Sequence, residues 1–334
     1  LLSGIDWINK NLLELSALKN VRLMLRTTVY GAFDHGIFGA LERKTDHLPS
    51  SEGKPRQILW KIYSKRSILC AGAIERSISF GNNDRPGILL SSALRSYVSR
   101  WAIQPGNRIA IFTNNNDGWK TARLLKQKGC NIIAVIDPRK NSAEQLEGVP
   151  TFKGQAIVTT KGVNSIKAIQ LCDGTKIKVD CLGVSGGWNP NLHLTCHQRG
   201  QPKWNERHAC FVPNSLPIGM QVAGAANGTF ALAEILEESL QKTQKIAAEL
   251  GFRVKKRKPI KANNHHLDIE AFWHVKNSKG RAWIDLQNDV TTKDIFQSHL
   301  EGFKSVEHLK RYTTLGMATD QGKNSNTIGL AIMA

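Results

Sequence analysis

Several short stretches of this sequence carry residue types suited to holding a phosphate. Thr113-Asn-Asn-Asn-Asp-Gly118 follows the apolar run Arg108-Ile-Ala-Ile-Phe-Thr113 and precedes a helical pattern from Trp119 to Lys128. A dinucleotide loop at such a junction uses G-x-G-x-x-G: one glycine turns the chain, one admits the pyrophosphate, and one lets helix and strand pack. Of these only the packing glycine, Gly118, is present. Asn115 puts a side chain where phosphate would lie, and Asp117 adds a repelling negative charge. Asp137, about 20 residues on, stands where a ribose-binding acid would. The unit reads as a Rossmann scaffold, with a working nucleotide site as the alternative.

Cys70-Ala-Gly-Ala73 and Val222-Ala-Gly-Ala-Ala-Asn-Gly228 each place small residues at a strand end, and Gly228 leads into a helix whose first turn offers N–H groups. Small residues also serve plain close packing. Lys310-Arg-Tyr-Thr-Thr-Leu-Gly-Met317 through Lys323 combines cations, hydroxyls and glycine backbone, which suits a phosphate or equally an ordinary solvated helix end. The ten histidines have no ligand spacing, and His265, His266, His299 and His308 read as surface residues. The six cysteines form no C-x-x-C pair and read as reduced thiols. Arg76 and Asp84 read as a structural ion pair. No catalytic residue and no metal ligand is assigned.

Periodicity supplies the elements that carry these residues. Leu1 to Leu18 reads as an amphipathic helix, Val21–Leu25 and Thr27–Tyr30 as short strands, and a hairpin region runs to Trp60-Lys-Ile-Tyr63. Ser67–Ala73 reads as a buried strand entering a turn. The strand 108–113, the helix 119–128 closed by Gly129, and the strand 131–136 form a βαβ unit. Strands follow at 155–160, 166–171 and 176–180, the last two joined at Asp173-Gly174. A long helix is expected from Thr229 to Leu250, and a helical, polar pattern from Trp283 to Met317.

The 334 residues carry 46 Lys+Arg and 27 Asp+Glu, a net charge of +19, with 41% hydrophobic residues, a globular composition. Six of the cations lie in Arg253–Lys261, which reads as a solvated linker next to Pro259. No zinc finger or RNP motif accompanies it, so nucleic acid is not the expected partner. The uncharged stretch Ala209–Ala233 is broken by Pro213, Pro217 and Asn227, so no membrane span is expected. Without a signal-peptide pattern the chain is expected to be cytoplasmic. It starts at Leu1 and stops inside an apolar run at Ala334, and is expected to be a piece of a longer polypeptide.

Ala71-Gly-Ala-Ile-Glu-Arg76, Phe80-Gly-Asn-Asn-Asp-Arg-Pro-Gly87, Gly186-Gly-Trp-Asn-Pro190 and Thr313-Thr-Leu-Gly-Met-Ala-Thr-Asp-Gln-Gly-Lys323 resemble the alpha subunits of heterotetrameric sarcosine oxidases, and the similarity runs from Leu1 to Ala334. The resemblance implies an α/β, Rossmann-like FAD/NAD(P)-binding fold with a nested second Rossmann unit, followed by a small, mostly helical domain. It divides the chain into an outer dinucleotide-binding domain (1–80 and 182–252), a nested domain (81–181), a basic linker (253–262) and a helical domain (263–334). NAD belongs on the outer domain, where Ala71, Gly72 and Ala73 match the strand-end turn and Gly224 and Gly228 match the closing turn and helix start. The family's upstream G-x-G-x-x-G loop is absent here, so this stretch alone should hold NAD poorly.

In the same family FMN lies between alpha and beta subunits, FAD in the beta subunit, and tetrahydrofolate on a downstream alpha-subunit domain. Arg311, Thr313, Thr314 and Lys323 would then face the FMN phosphate. The implied activity is oxidation of sarcosine to glycine with formation of hydrogen peroxide and one-carbon transfer to tetrahydrofolate. The implied partners are the beta and smaller subunits. Related amine and opine dehydrogenases carry four cysteines for a [2Fe–2S] cluster at the positions held here by Asp285, Gln287, Asp320 and Ser325. Without thiolates no iron–sulfur cluster is expected. An alpha-type subunit of a related opine or amino-acid dehydrogenase, and a basic scaffold or RNA-binding protein, are the alternatives.

Overall fold

The structure, a computed structural model, describes residues 3–255 and 257–334, and the chain divides into two compact units. The first gathers the described residues of Leu1–Gly72, Asn191–Lys203 and Val212–His265. Its sheet is the antiparallel meander Thr27–Phe33, Ile37–Arg43 and Gln57–Tyr63. Exposure alternates residue by residue along the third strand, as a sheet with one solvated face requires. Ala32, Leu194 and Met220 form a small core with Phe38 and Leu69. Next to it the strands Ser67–Leu69 and Met220–Val222 pair in parallel, and the helix Leu232–Glu249 follows. The described residues of 253–261 form no helix or strand.

The second unit comprises Ala73–Pro190, Trp204–Phe211 and His266–Ala334. Its centre is a five-stranded parallel sheet of β1 (Ile88–Leu90), β2 (Ile109–Thr113), β3 (Ile132–Asp137), β4 (Thr151–Lys153) and β5 (Cys181–Ser185), in the order β1-β5-β2-β3-β4. Helix α1 (Ser91–Trp101) joins β1 to β2, and α2 (Asn116–Gln127) joins β2 to β3. Every residue of β2 and β5 is buried. That is why β2 reads as an apolar run, since a parallel strand covered on both faces has no polar side; β5 is not read as a strand from the sequence.

Alternate residues of β2 serve different cores. Ile109 and Ile111 pack with Leu94, Trp119 and Leu125 under the helices. Ala110 and Phe112 pack on the other face with Phe80, Ile157 and Ile169, the last two from the meander Ile157–Lys161, Ala168–Leu171 and Lys176–Lys178. Helix α2 ends at Gly129 (φ +83°), whose N–H bonds the Lys126 carbonyl while Cys130 reaches back to Leu125.

The C-terminal part opens with the hairpin β6 (Trp283–Asp285) and β7 (Val290–Thr291). It continues into α3 (Thr292–Leu300), α4 (Val306–Thr313) and α5 (Asn326–Met333), packed around Ile284, Ile295, Leu309, Leu315 and Ile328. Thr291 and Asp294 close a capping box at the start of α3.

Some local expectations fail for identifiable reasons. Val21–Leu25 is not a strand, because the neighbouring strand Thr27–Phe33 pairs with Ile37–Arg43 and no ladder extends to it. The strand expected at Ser67–Ala73 is only Ser67–Leu69 and is half-buried. Trp283–Met317 is not helical from its start, since Asp285 accepts the Gln287 and Asn288 N–H groups and turns the chain into a hairpin. Strand β1 goes unread because three apolar residues become a strand only through pairing with β5.

The packing role of Gly118 is testable. A Cβ there would strike Thr113 Oγ1 and Cβ well inside van der Waals contact, and Thr113 is fully buried. Overpacking of this kind costs about 1–3 kcal/mol. We expect Gly118→Ala to lower the unfolding free energy by that amount in a denaturant titration; an unchanged midpoint would mean that helix and strand have slack there.

Candidate functional site

At the carboxyl edge of the nested sheet, the donors that a bound phosphate would use are already paired. Asn115 Oδ1 accepts the N–H groups of Asp117 (3.0 Å) and Gly118 (3.3 Å), and its Nδ2 donates to the Ser185 carbonyl and hydroxyl at 3.1 Å. Residues 268–270 then run antiparallel along the loop. Asn116 N–H donates to the Asp268 carbonyl (3.0 Å) and Glu270 N–H to the Asn114 carbonyl (3.1 Å). Asn114 Nδ2 adds a bond to the Glu270 carbonyl (2.7 Å). The segment continues as a strap: Phe272 packs edge-on against Phe112, and the Trp273 carbonyl and Val275 N–H bond the backbone of Ser79.

Asp137 is likewise committed. It is fully buried, accepts from Trp119 Nε1 (2.8 Å) and pairs with Arg139 (2.7 Å), whose guanidinium also reaches Asn116 Oδ1 and the Asp268 carbonyl. The expected repulsion by Asp117 needs correcting, since Arg95 grips its carboxylate with both terminal nitrogens, at 2.8 and 2.7 Å. An open crevice of about 650 Å³ remains beside the strap, lined by Asn116, Arg139, Lys140, Ser142, Asp268 and Glu270.

Two neighbouring residues have roles the sequence did not disclose. Glu75, buried, accepts the Ser91 hydroxyl (2.6 Å) and the Ser92 N–H (2.7 Å), and so caps α1 with a carboxylate. Burial raises its carboxyl above the ordinary range despite the bonds from Ser185, Ser91 and Ser92. Arg76 forms no ion pair with the exposed Asp84, contrary to expectation. It is fully buried, donates to the Gly186 carbonyl (2.7 Å) and Asn189 Oδ1 (2.9 Å), and stacks on Trp273. Burial lowers its pKa to about 10, so it remains a cation at neutral pH.

In the first unit, parallel pairing of Ser67–Leu69 with Met220–Val222 brings Ala71 and Gly72 to the same edge as Gly224. Gly72 (φ +70°) has open space where a Cβ would stand, and Asn191 fixes the turn through the carbonyls of Gly72 and Ala71. Gly224 (φ +71°) donates its N–H to Glu238 (2.9 Å), which also holds Asn227 and Lys242. Burial opposes the Glu238 charge, yet the bonds from Lys242 and Gly224 keep its carboxyl below the ordinary range. Gly228 (φ +80°) packs on Val212. The helix Leu232–Glu249 follows Ala231, whose methyl group offers it no cap. Ala73 belongs to the second unit, where it pairs with Pro190. Nothing local in the sequence marks Glu238, fourteen residues beyond Gly224, as the acceptor for this turn.

The C-terminal positions do converge. Asp285, Gln287, Asp320 and Ser325 line one cavity of about 420 Å³ together with Ser79 and Asn83. Asp285 accepts four donors, from Gln287, Asn288, Gly316 and Ser325. Oxygen and amide groups already engaged in this way do not fit an iron–sulfur cluster, which needs free thiolates. Arg311 is exposed beside Glu307 (2.6 Å), and Thr313, the last residue of α4, bonds the Leu309 carbonyl. Thr314 (φ +62°) and Lys323 are exposed.

A sequence profile of the sarcosine oxidase A3 domain matches residues 279–334. Over 330 residues, 96% of this chain, the sequence is 38% identical to the sarcosine oxidase subunit alpha of Rhizobium meliloti (strain 1021). Over 361 residues it is 32% identical to the subunit alpha of Corynebacterium sp. (strain U-96), which matches all of this chain. The chain is a homologue of sarcosine oxidase alpha subunits. It spans about a third of the length of these alpha subunits, 33% and 37%.

Among solved structures, L-proline dehydrogenase from P. horikoshii is similar at a TM-score of 0.76 over 98% of this chain and 62% of its own, with 18% identity. A NAD-dependent persulfide reductase from A. fulgidus is similar at 0.50 over 71% of this chain and 46% of its own, with 12% identity. At such identities the likeness is one of fold, and it agrees with the α/β, Rossmann-like architecture expected for an alpha-subunit homologue. No described helix is long and apolar enough to cross a membrane. Among the described residues, no group of His, Cys, Asp and Glu is placed to hold a metal ion.

Two outcomes follow from the buried carboxylates. Asp137→Asn leaves Arg139 buried without its counter-charge, a loss of about 3–5 kcal/mol; chemical unfolding of the variant reads this directly, and wild-type stability would contradict the pairing. The folded-state carboxyl of Glu75 titrates above its unfolded value, so the folded chain holds that proton more tightly. Its contribution is therefore greatest below the unfolded value and is lost as pH rises through the folded one. Glu75→Gln should flatten the fall in stability from mild acid towards neutrality, and an identical pH slope would exclude Glu75 as its source.

Proposed function

We propose that this chain is part of the alpha subunit of a flavin-dependent sarcosine oxidase. The reaction is the oxidative demethylation of sarcosine by oxygen and water to glycine, hydrogen peroxide and a one-carbon unit at the oxidation level of formaldehyde, passed to tetrahydrofolate. Oxidation of the amine belongs to FAD in a beta subunit, and folate to a downstream region of the alpha chain. The observation that carries this reading is the 38% identity to a sarcosine oxidase alpha subunit along 96% of the chain. The likeness to an amino-acid dehydrogenase, at 18% identity, supports only the fold. The parsing into outer, nested, linker and helical domains, and a cytoplasmic location, go with the same proposal.

In this reading the chain contributes two binding surfaces and no catalytic base. Ala71 and Gly72 with Gly224 and Gly228, all in the first unit, form the nucleotide side, for NAD. Support comes from the open space over Gly72. The second surface is Arg311, Thr313, Thr314 and Lys323, facing the phosphate of an FMN shared with the beta subunit, which supplies electron acceptance there. The exposed guanidinium, ammonium and Thr314 hydroxyl support it, whereas the Gly316 N–H is already taken by Asp285. The cations therefore carry the contact, against the negative end of α4.

The test is removal of those cations. Two charge-assisted bonds lost at about 1.5–3 kcal/mol each weaken a phosphate contact by about a hundredfold or more. In the full-length alpha–beta complex, Arg311→Ala with Lys323→Ala should lower FMN content and leave FAD in place, measured by chromatography after protein digestion. Full FMN occupancy with normal turnover would mean that the segment is only a solvated helix end.

A further inference from the structure

The loop from Thr314 to Ser325 has little regular structure, and four of its residues are left-handed: Thr314 (φ +62°), Gly316 (+66°), Gln321 (+53°) and Gly322 (+71°). Such a backbone keeps one shape only if its neighbours fix it. Within the loop, the Asp320 carboxylate accepts the N–H groups of Gly322 (3.0 Å) and Asn324 (3.5 Å), and from outside it the fixing bonds come from two sides. Asp285, 4% exposed at the end of β6, accepts the Gly316 N–H at 2.8 Å and the Ser325 hydroxyl at 3.5 Å through one oxygen. Its other oxygen accepts the N–H groups of Gln287 (2.9 Å) and Asn288 (3.2 Å).

The hairpin turn shaped in this way then adds two contacts of its own. Asn288 Nδ2 donates to the Thr314 carbonyl (2.9 Å), and Gln287 Oε1 accepts the Thr319 hydroxyl (2.9 Å). From the other side, Asn189 Nδ2 donates to the Lys323 carbonyl (3.0 Å), with Asn189 itself oriented by the buried Arg76. The backbone carbonyls of both Thr314 and Lys323 are thus pinned, while their side chains remain exposed.

We propose that Asp285 is the positioning residue of this loop, the single carboxylate that joins the β6–β7 turn to the loop after α4 and to the start of α5, and thereby sets where Thr314 and Lys323 stand. For its functional consequence the proposal rests on the reading of these residues as a phosphate-facing surface. Its physical content, a loop fixed through one buried carboxylate, does not. An amide in place of the carboxylate keeps the volume but removes the charge, and it supplies only one oxygen for donors that now share two.

The experiment uses the full-length chain assembled with its partner subunits. Hydrogen exchange is followed by mass spectrometry over residues 314–325, and flavin content is measured in the same preparations. Asp285→Asn should speed exchange of this segment about tenfold and lower FMN content, with FAD unchanged. Asn288→Ala, which removes only the Thr314 anchor, should speed exchange at 314–317 alone by about threefold and serves if Asp285→Asn does not fold. Wild-type exchange over 314–325 in these variants overturns the proposal, whatever the flavin content. Faster exchange in Asp285→Asn, with full FMN both there and in the Arg311/Lys323 double variant, supports Asp285 as the fixing group and overturns the phosphate-facing reading instead.

Discussion

Backbone N–H groups at helix starts and at the carboxyl ends of parallel strands must find acceptors, because a buried unpaired donor is costly. In a nucleotide-binding fold a phosphate commonly supplies them. This chain supplies them from itself. Glu75 takes the start of α1, Asn115 the start of α2, Asp294 the start of α3 and Glu238 the turn at Gly224. Where side chains do not reach, the strap 268–275 brings backbone carbonyls and amides to the edge of β2.

That constraint explains why a Rossmann unit can persist without its glycines. Asn115 is a poor neighbour for pyrophosphate but a good cap, and Gly118 is retained because Thr113 leaves no room for a Cβ. Asp137 keeps the position of a ribose-binding acid and uses it to hold Trp119 and Arg139. Arg76 holds the segment after β5 through Gly186 and Asn189, and the Trp283 carbonyl of β6 accepts from Ser79 and Asn83. The first unit differs: Gly72 is left open.

Much of this was legible in the residues. The unbroken apolar runs of β2 and β3 declare a buried parallel sheet, the missing glycines declare a closed phosphate loop, and Gly129 marks the end of α2. What could not be read depends on distant partners. Ile88–Leu90 is a strand only beside β5, and the strap is invisible because 268–270 lies some 150 residues from the loop it covers, as the Asn114–Glu270 bond spans 156. The same holds for charge. Asp117 looks repulsive until Arg95 is beside it, and Arg76 looks like half of an ion pair until it is found among carbonyls. At the C-terminal site the four non-thiol positions, grouped only by the resemblance, line one cavity, but nothing in their spacing shows that Asp285 alone holds four donors.

The proposed placement of NAD at the outer turn, and not at the self-paired loop 113–118, is tested most directly by mapping where NAD protects the full-length chain. Hydrogen exchange with and without NAD reports both regions in one measurement. Slowed exchange at 70–73 and 223–228, with 114–118 and 268–270 slow in the free protein and unchanged by NAD, is the expected result. Fast exchange at 114–118 and 268–270 that becomes protected when NAD is added would contradict it.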